Sequence, residues 1–149
     1  MNKQTRNIIN VSLTLVAIYL YSFTANNIET EILGFNSFKF LISIAVLIQF
    51  LIFLPSFIFK TEKFYDLTGS LTYISVTSIA YFSLDNPTTT DTILFLYVVI
   101  WAGRLGIFLF RRINKVGKDV RFDKAKKKFF WFLQYWMGQA AWVVFTAGA

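Results

Sequence analysis

Five long apolar runs, separated by short polar segments, decide what this chain can fold into. They extend roughly from Ile8 to Ala25, Phe38 to Phe59, Leu67 to Leu84, Ile93 to Arg111 and Phe129 to Ala147. A helix needs about 20 apolar residues, rising about 1.5 Å each, to cross a hydrocarbon core, so each run is long enough to span. Of the 149 residues, 56 % are hydrophobic, 19 % aromatic and only 15 % charged. Ordinary globular chains carry about 25 % charged residues, and a small globule cannot hide this much apolar surface. Disorder is excluded by the same numbers. The runs lack the strict alternation of an outer-membrane barrel. The expected fold is all-α: one domain over residues 1–149, a polytopic transmembrane bundle of about five spans.

The third run is the most polar, with Thr68, Ser70, Thr72, Ser75, Thr77 and Ser78. Hydroxyls can bond back to helix carbonyls, so they do not forbid a span. Pro55 is expected to bend the last turn of the second helix. Lys3 and Arg6 precede the first run, as in a signal peptide. That run is longer than a signal core, however, and Thr24-Ala25 offers a poor cleavage site, which favours a retained helix.

The segment from Arg111 to Lys128 holds most of the Lys and Arg, so the positive-inside rule puts it in the cytoplasm. Alternation then puts the Asp85–Asp91 loop outside, with two acids and no base. The Lys60–Asp66 loop falls inside with Lys60 and Lys63. The Asn26–Ser37 loop falls outside with Glu29 and Glu31, and the N-terminus inside. Asp85-Asn86-Pro87 starts a turn, Thr90-Asp91 can cap the fourth helix, and Gly34 with Asn36 breaks the first outer loop.

The chain has no Cys and no His. Disulfides, Cys-based zinc sites and the familiar Ser–His–Asp and Cys–His catalytic sets are therefore absent, and no metal site is expected. The net charge of +7 is confined mainly to one loop, without the broad basic, aromatic-studded face that nucleic acid requires.

Arg104 lies about two turns from the cytoplasmic end of the fourth helix. An arginine there either snorkels to the interface or clamps an anion from the bundle interior. Arg111, seven residues on, falls near the same helical face. Asp66 opens the third helix. It serves either as an N-terminal cap or as the partner of Arg104 or of a basic loop residue. Gly103 and Gly106 allow a neighbouring helix to approach closely. In the loop, Lys124 and Lys126–Lys128 read as solvated or attracted to anionic lipid. Asp119 and Asp123, flanking Arg121-Phe122, suggest docking on the membrane face or a phosphate site. Trp101, Trp131, Trp136, Trp142, Tyr97 and Tyr135 fit interface belts. Gln49, Gln134 and Gln139 each need a hydrogen bond within an apolar segment.

A combined pattern runs from Tyr65 to Trp142: Tyr65-Asp66-Leu67-Thr68-Gly69-Ser70, Trp101-Ala102-Gly103-Arg104-Leu105-Gly106, Phe110-Arg111-Arg112-Ile113, Gly117-Lys118-Asp119-Val120-Arg121-Phe122-Asp123, Trp131-Phe132-Leu133 and Gln139-Ala140-Ala141-Trp142. It resembles bacterial membrane proteins related to steroid 5α-reductases, a group allied to isoprenylcysteine methyltransferases. The resemblance covers just over half of the chain. It implies a membrane-embedded oxidoreductase that reduces a carbon–carbon double bond in an apolar, lipid-like enone with NADPH, which binds from the cytoplasmic side. It also implies that Asp66, Arg104, Arg111, Asp119 and Arg121 line the cytoplasmic mouth of the cavity, as cofactor- or substrate-binding residues.

Family members continue into a His-Pro-Asn-Tyr motif that contributes much of the cofactor site, and this sequence contains none. The expectation is an N-terminal portion that neither binds NADPH tightly nor turns over alone, with the C-terminal half available at most as a separate chain. Two other readings stay open: a non-catalytic small membrane protein with a lipid-binding basic loop, and a membrane methyltransferase relative.

Overall fold

A computed structural model describes residues 2–24 and 30–148. Ala25 at the end of the first run, Asn26 and Glu29 of the first outer loop, and Ala149 lie outside the described residues. Five long helices carry the fold: α1 (Lys3–Tyr21), α2 (Ser37–Ile58), α3 (Tyr65–Phe82), α4 (Thr89–Val116) and α5 (Phe129–Ala147). They follow the five apolar runs. A two-residue antiparallel pair, β1 (Glu31–Ile32) and β2 (Phe35–Asn36), precedes α2. It turns through Leu33 (φ 53°) and Gly34 (φ 77°).

Boundary chemistry explains where the helices extend beyond the runs. The Asn2 side chain accepts the Gln4 N–H, so α1 starts at Lys3 and takes in the polar N-terminus. α4 is capped by Thr88 rather than by Thr90. The Thr88 side chain accepts the Asp91 N–H, and the Asp91 carboxylate accepts the Thr88 N–H, a reciprocal capping box. α2 continues through Pro55 for three more residues. Asp66 is not a cap: the N-cap of α3 is Phe64, which makes no side-chain capping bond, and Asp66 sits in the first turn.

α5 is the central helix, packing on α1, α2 and α3, while α4 packs chiefly on α3. Phe53 of α2 meets Phe129, Phe132 and Trp136 of α5, with ring centroids 5.1 to 6.3 Å apart. Val11 of α1 joins the same core, and all three of Phe53, Phe132 and Trp136 are fully buried. At the other end Ile18, Ile42, Ala45, Ala140, Ala141 and Val144 form a second, smaller-residue core. Burial of such rings dominates the packing energy. Trp136 is therefore a core residue and not part of an interface belt. Trp101 and Trp142 do stay exposed.

Gly106 lets α3 and α4 close up, because a Cβ there would lie 2.7 Å from the Ser70 side chain. Gly103 meets nothing within 4 Å, so only one of the two glycines serves close packing. Gln49 finds its hydrogen bond at the Thr72 hydroxyl, 3.1 Å away.

These pairings run α1, α3 and α5 in one direction and α2 and α4 in the other. Lys3, Arg6, Lys60, Lys63 and the 111–128 segment thus share one end, while Glu31, Asp85 and Asp91 share the other, together with Lys39. Among the described residues, α2 and α4 are long and apolar enough to cross a membrane. Only 28 % and 11 % of their most apolar stretches are buried, whereas a core helix of a soluble protein would be mostly covered.

Candidate functional site

The charged end is built around the segment between α4 and α5, which forms a packed cap. Gly117, at φ 89°, terminates α4 in a backbone region that favours glycine, and its N–H bonds the Ile113 carbonyl at 2.8 Å. Two short 3-10 turns follow, Val120–Phe122 and Ala125–Lys127. The last residue of the first turn, Phe122, is driven into the bundle, where it is 2 % exposed. Its ring centroid lies 4.9 Å from those of Tyr65 and Tyr135 and 5.9 Å from that of Phe132.

Glu62, in the α2–α3 connection, holds this cap from the opposite side. It is buried, accepts the Lys126 ammonium at 2.7 Å through Oε2, and accepts the Asp119 N–H at 3.0 Å through Oε1. Lys126 also lies 3.8 Å from Asp123. It is therefore not one of the solvated lysines expected of this loop.

Asp119 and Arg121 form a charge-assisted fork. Asp119 accepts the Arg121 backbone N–H at 2.9 Å, Nε at 2.9 to 3.0 Å and Nη2 at 2.6 Å. The bonds from Arg121 hold the Asp119 carboxyl below the usual carboxylate range, and the same pair pushes the guanidinium further up. The Arg121 guanidinium also sits over the Phe122 ring, 5.4 Å from its centroid. Asp66 lies just ahead of the apolar run that starts at Leu67. Burial pushes its carboxyl up, against the opposing pull of Arg121 and Arg112. The two acids are thus driven in opposite directions by their surroundings.

Of the expected site residues, Asp66, Asp119 and Arg121 come together here. Arg104 and Arg111 do not. Both are exposed, on the side of α4 turned away from α3, and neither makes an ion pair among the described residues. The cation that meets Asp66 is Arg112, at 3.8 Å. The reason is helical phase: Gly106, which touches Ser70, and Arg104 lie two residues apart and so point to nearly opposite sides of α4. Arg112, Lys118, Asp119 and Arg121 line an open cavity of about 460 Å³, together with Ile113, Val116 and Val120. Lys118 is drawn toward Asp123 at 3.4 Å. Sequence reasoning missed Glu62 and the pairing of Lys126, and it did not single out Arg112 and Lys118 among the loop's basic residues. An acid lying between the bases Lys60 and Lys63 was the available signal for the first.

A family model described as protein of unknown function (DUF1295) matches residues 52–149, about two thirds of the chain. The chain belongs to that family. The match takes in α3, α4, the cap and α5, which together supply every residue of the cavity just described. No curated protein and no solved structure matches the chain.

Proposed function

We propose that this chain is the membrane-embedded part of a steroid-reductase-like oxidoreductase, crossing the bilayer five times with its charged end in the cytoplasm. The motifs that resemble that group fall within the matched region. The observation that carries the reading is the cavity of Arg112, Lys118 and Arg121 at the charged end, framed by the pinned cap. Three convergent cations beside a membrane suit the phosphate end of a nicotinamide dinucleotide phosphate. The donor set fits that end. When bound, the dinucleotide supplies the hydride. Arg112, Lys118 and Arg121 would hold its phosphates. Asp119 fixes the Arg121 fork in place, so less side-chain entropy is lost on binding. Each of the three cations already faces a carboxylate, at 3.8, 3.4 and 2.6 Å. An incoming phosphate must compete with Asp66, Asp123 and Asp119, which keeps the affinity modest. The reducible substrate is an apolar lipid that arrives through the bilayer, and contacts to the nicotinamide end come from groups other than these three cations. Arg104, on the open face of α4, is available to a partner.

Titrating the chain in detergent with NADPH and NADH tests this. The expected NADPH dissociation constant lies at ~0.1–1 mM, with weaker NADH binding and a loss of about tenfold in the Arg121→Leu variant. Equal binding of the two dinucleotides, or binding indifferent to Arg121 and to salt, contradicts the phosphate site. A low-micromolar constant contradicts the expectation that this chain holds the cofactor only in part.

A further inference from the structure

Among the described residues, four buried side-chain polar atoms have no hydrogen-bond partner: Gln49 Oε1, Ser56 Oγ, Trp136 Nε1 and Gln139 Oε1. Gln139 differs from a packing compromise, because it lines a groove of about 340 Å³ along α5 together with Tyr65, Gln134, Tyr135, Gly138 and Trp142. Its amide nitrogen occupies space that Gly69 leaves free, since a Cβ on Gly69 would come within 2.5 Å of Nε2. The amide is thus held against α3 with its hydrogen-bonding capacity unspent.

Depth makes this informative. Ten residues separate Phe129 from Gln139, or about 15 Å of helix, roughly half of the ~30 Å hydrocarbon layer. Water is scarce there, and an unpaired amide costs several kilocalories. The groove contains no charged side chain, so a charged ligand has nothing to offset its desolvation. Its size lies at the lower end of the ~300–1,000 Å³ typical of small-molecule sites, too small for a helix of ~10–12 Å diameter. Trp142, 67 % exposed, forms an apolar wall open to the bilayer. Gln139 Oε1 is itself sealed from solvent, so a ligand hydroxyl meets it only when the amide turns toward the groove. A hydroxyl can donate to Oε1 or accept from Nε2, so it satisfies either atom of the amide.

We propose that the groove between α3 and α5 is a lateral binding site for an uncharged lipid alcohol, whose hydroxyl pairs with the Gln139 amide while its apolar body lies along Trp142 and the tyrosines. This rests on the membrane placement proposed above but not on dinucleotide binding. The probe is a long-chain alcohol carrying a photoreactive diazirine, with its methyl ether as control, in zwitterionic phospholipid nanodiscs containing the full chain.

After irradiation and trypsin digestion, label is expected in the peptide that follows Lys128. The ether should label it far less, and Gln139→Leu should reduce alcohol labelling about tenfold, the worth of one hydrogen bond. Gly138 has nothing within 4 Å of its would-be Cβ, so Gly138→Leu fills the groove without disturbing the core and should abolish labelling even if Gln139→Leu folds poorly. Equal labelling by alcohol and ether, label unaffected by Gly138→Leu, or crosslinking of this face to a second copy in place of the probe overturns the proposal. The dinucleotide titration is read separately, so either result can fail alone.

Discussion

Phe122→Ala is expected to release the cap between α4 and α5 while leaving the five helices assembled. The ring is 2 % exposed and is enclosed by Tyr65, Phe132 and Tyr135. Truncating a buried Phe to Ala costs about 3–5 kcal/mol where the site cannot collapse. Here the loop can let go instead, so the loss is spent on local opening and not on global unfolding. At about 3 kcal/mol the open fraction rises ~100-fold. Trypsin cleavage after Arg121 and Lys124 should accelerate by about that factor, with little change in the melting of the bundle. Phe122→Leu, which retains most of the apolar volume, should recover most of the protection. Cleavage rates unchanged in Phe122→Ala would show that the ring does not hold the cap.

Glu62→Leu removes the second anchor by a different mechanism. It leaves the Lys126 ammonium, 19 % exposed, without its 2.7 Å partner, and it orphans the Asp119 N–H. Breaking a buried pair costs about 3–5 kcal/mol. Partial access of Lys126 to water lowers that toward ~2–3 kcal/mol, still enough to loosen the cap and to lower the melting temperature in detergent. Glu62→Gln keeps an acceptor for Asp119 and should recover part of the loss. The pairing itself is tested by Glu62→Leu combined with Lys126→Met. That double variant removes both charges and should be far more stable than Glu62→Leu alone. If the two losses simply add, the pair is not what binds the cap.

Much of this architecture could be read from the sequence because five long apolar runs leave so few options. α5 covers the span read from Phe129 to Ala147, and the other helices differ from their runs only at the ends, where capping by Asn2 and Thr88 extends them. The segregation of charge to one end is also visible in the loop composition. The site was less legible. Asp66, Asp119 and Arg121 do meet, since two of them are nearly adjacent in sequence and the third opens the neighbouring helix. Arg104 and Arg111 point away from that cluster because composition fixes depth along a helix but not its rotation. That rotation is set by Gly106 against Ser70, a contact between distant parts of the chain. Glu62 and Lys126 stand 64 positions apart, and no local pattern links them. Trp136 illustrates a similar limit: an aromatic near a membrane interface can equally serve a core, and only its neighbours Phe53 and Phe132 decide which.

The proposed function requires helices that thread a bilayer with the cation-rich end in the cytoplasm. The sequence lacks Cys, so single cysteines can be introduced without background. Cysteines replacing Lys63, Asn86 and Lys124 should be probed with a membrane-impermeant maleimide in intact expressing cells and again after permeabilisation. Asn86→Cys should react in intact cells, while Lys63→Cys and Lys124→Cys should react only once the membrane is opened. Labelling of Lys124→Cys from outside intact cells, or extraction of the chain from membranes by alkaline carbonate alone, would contradict that placement.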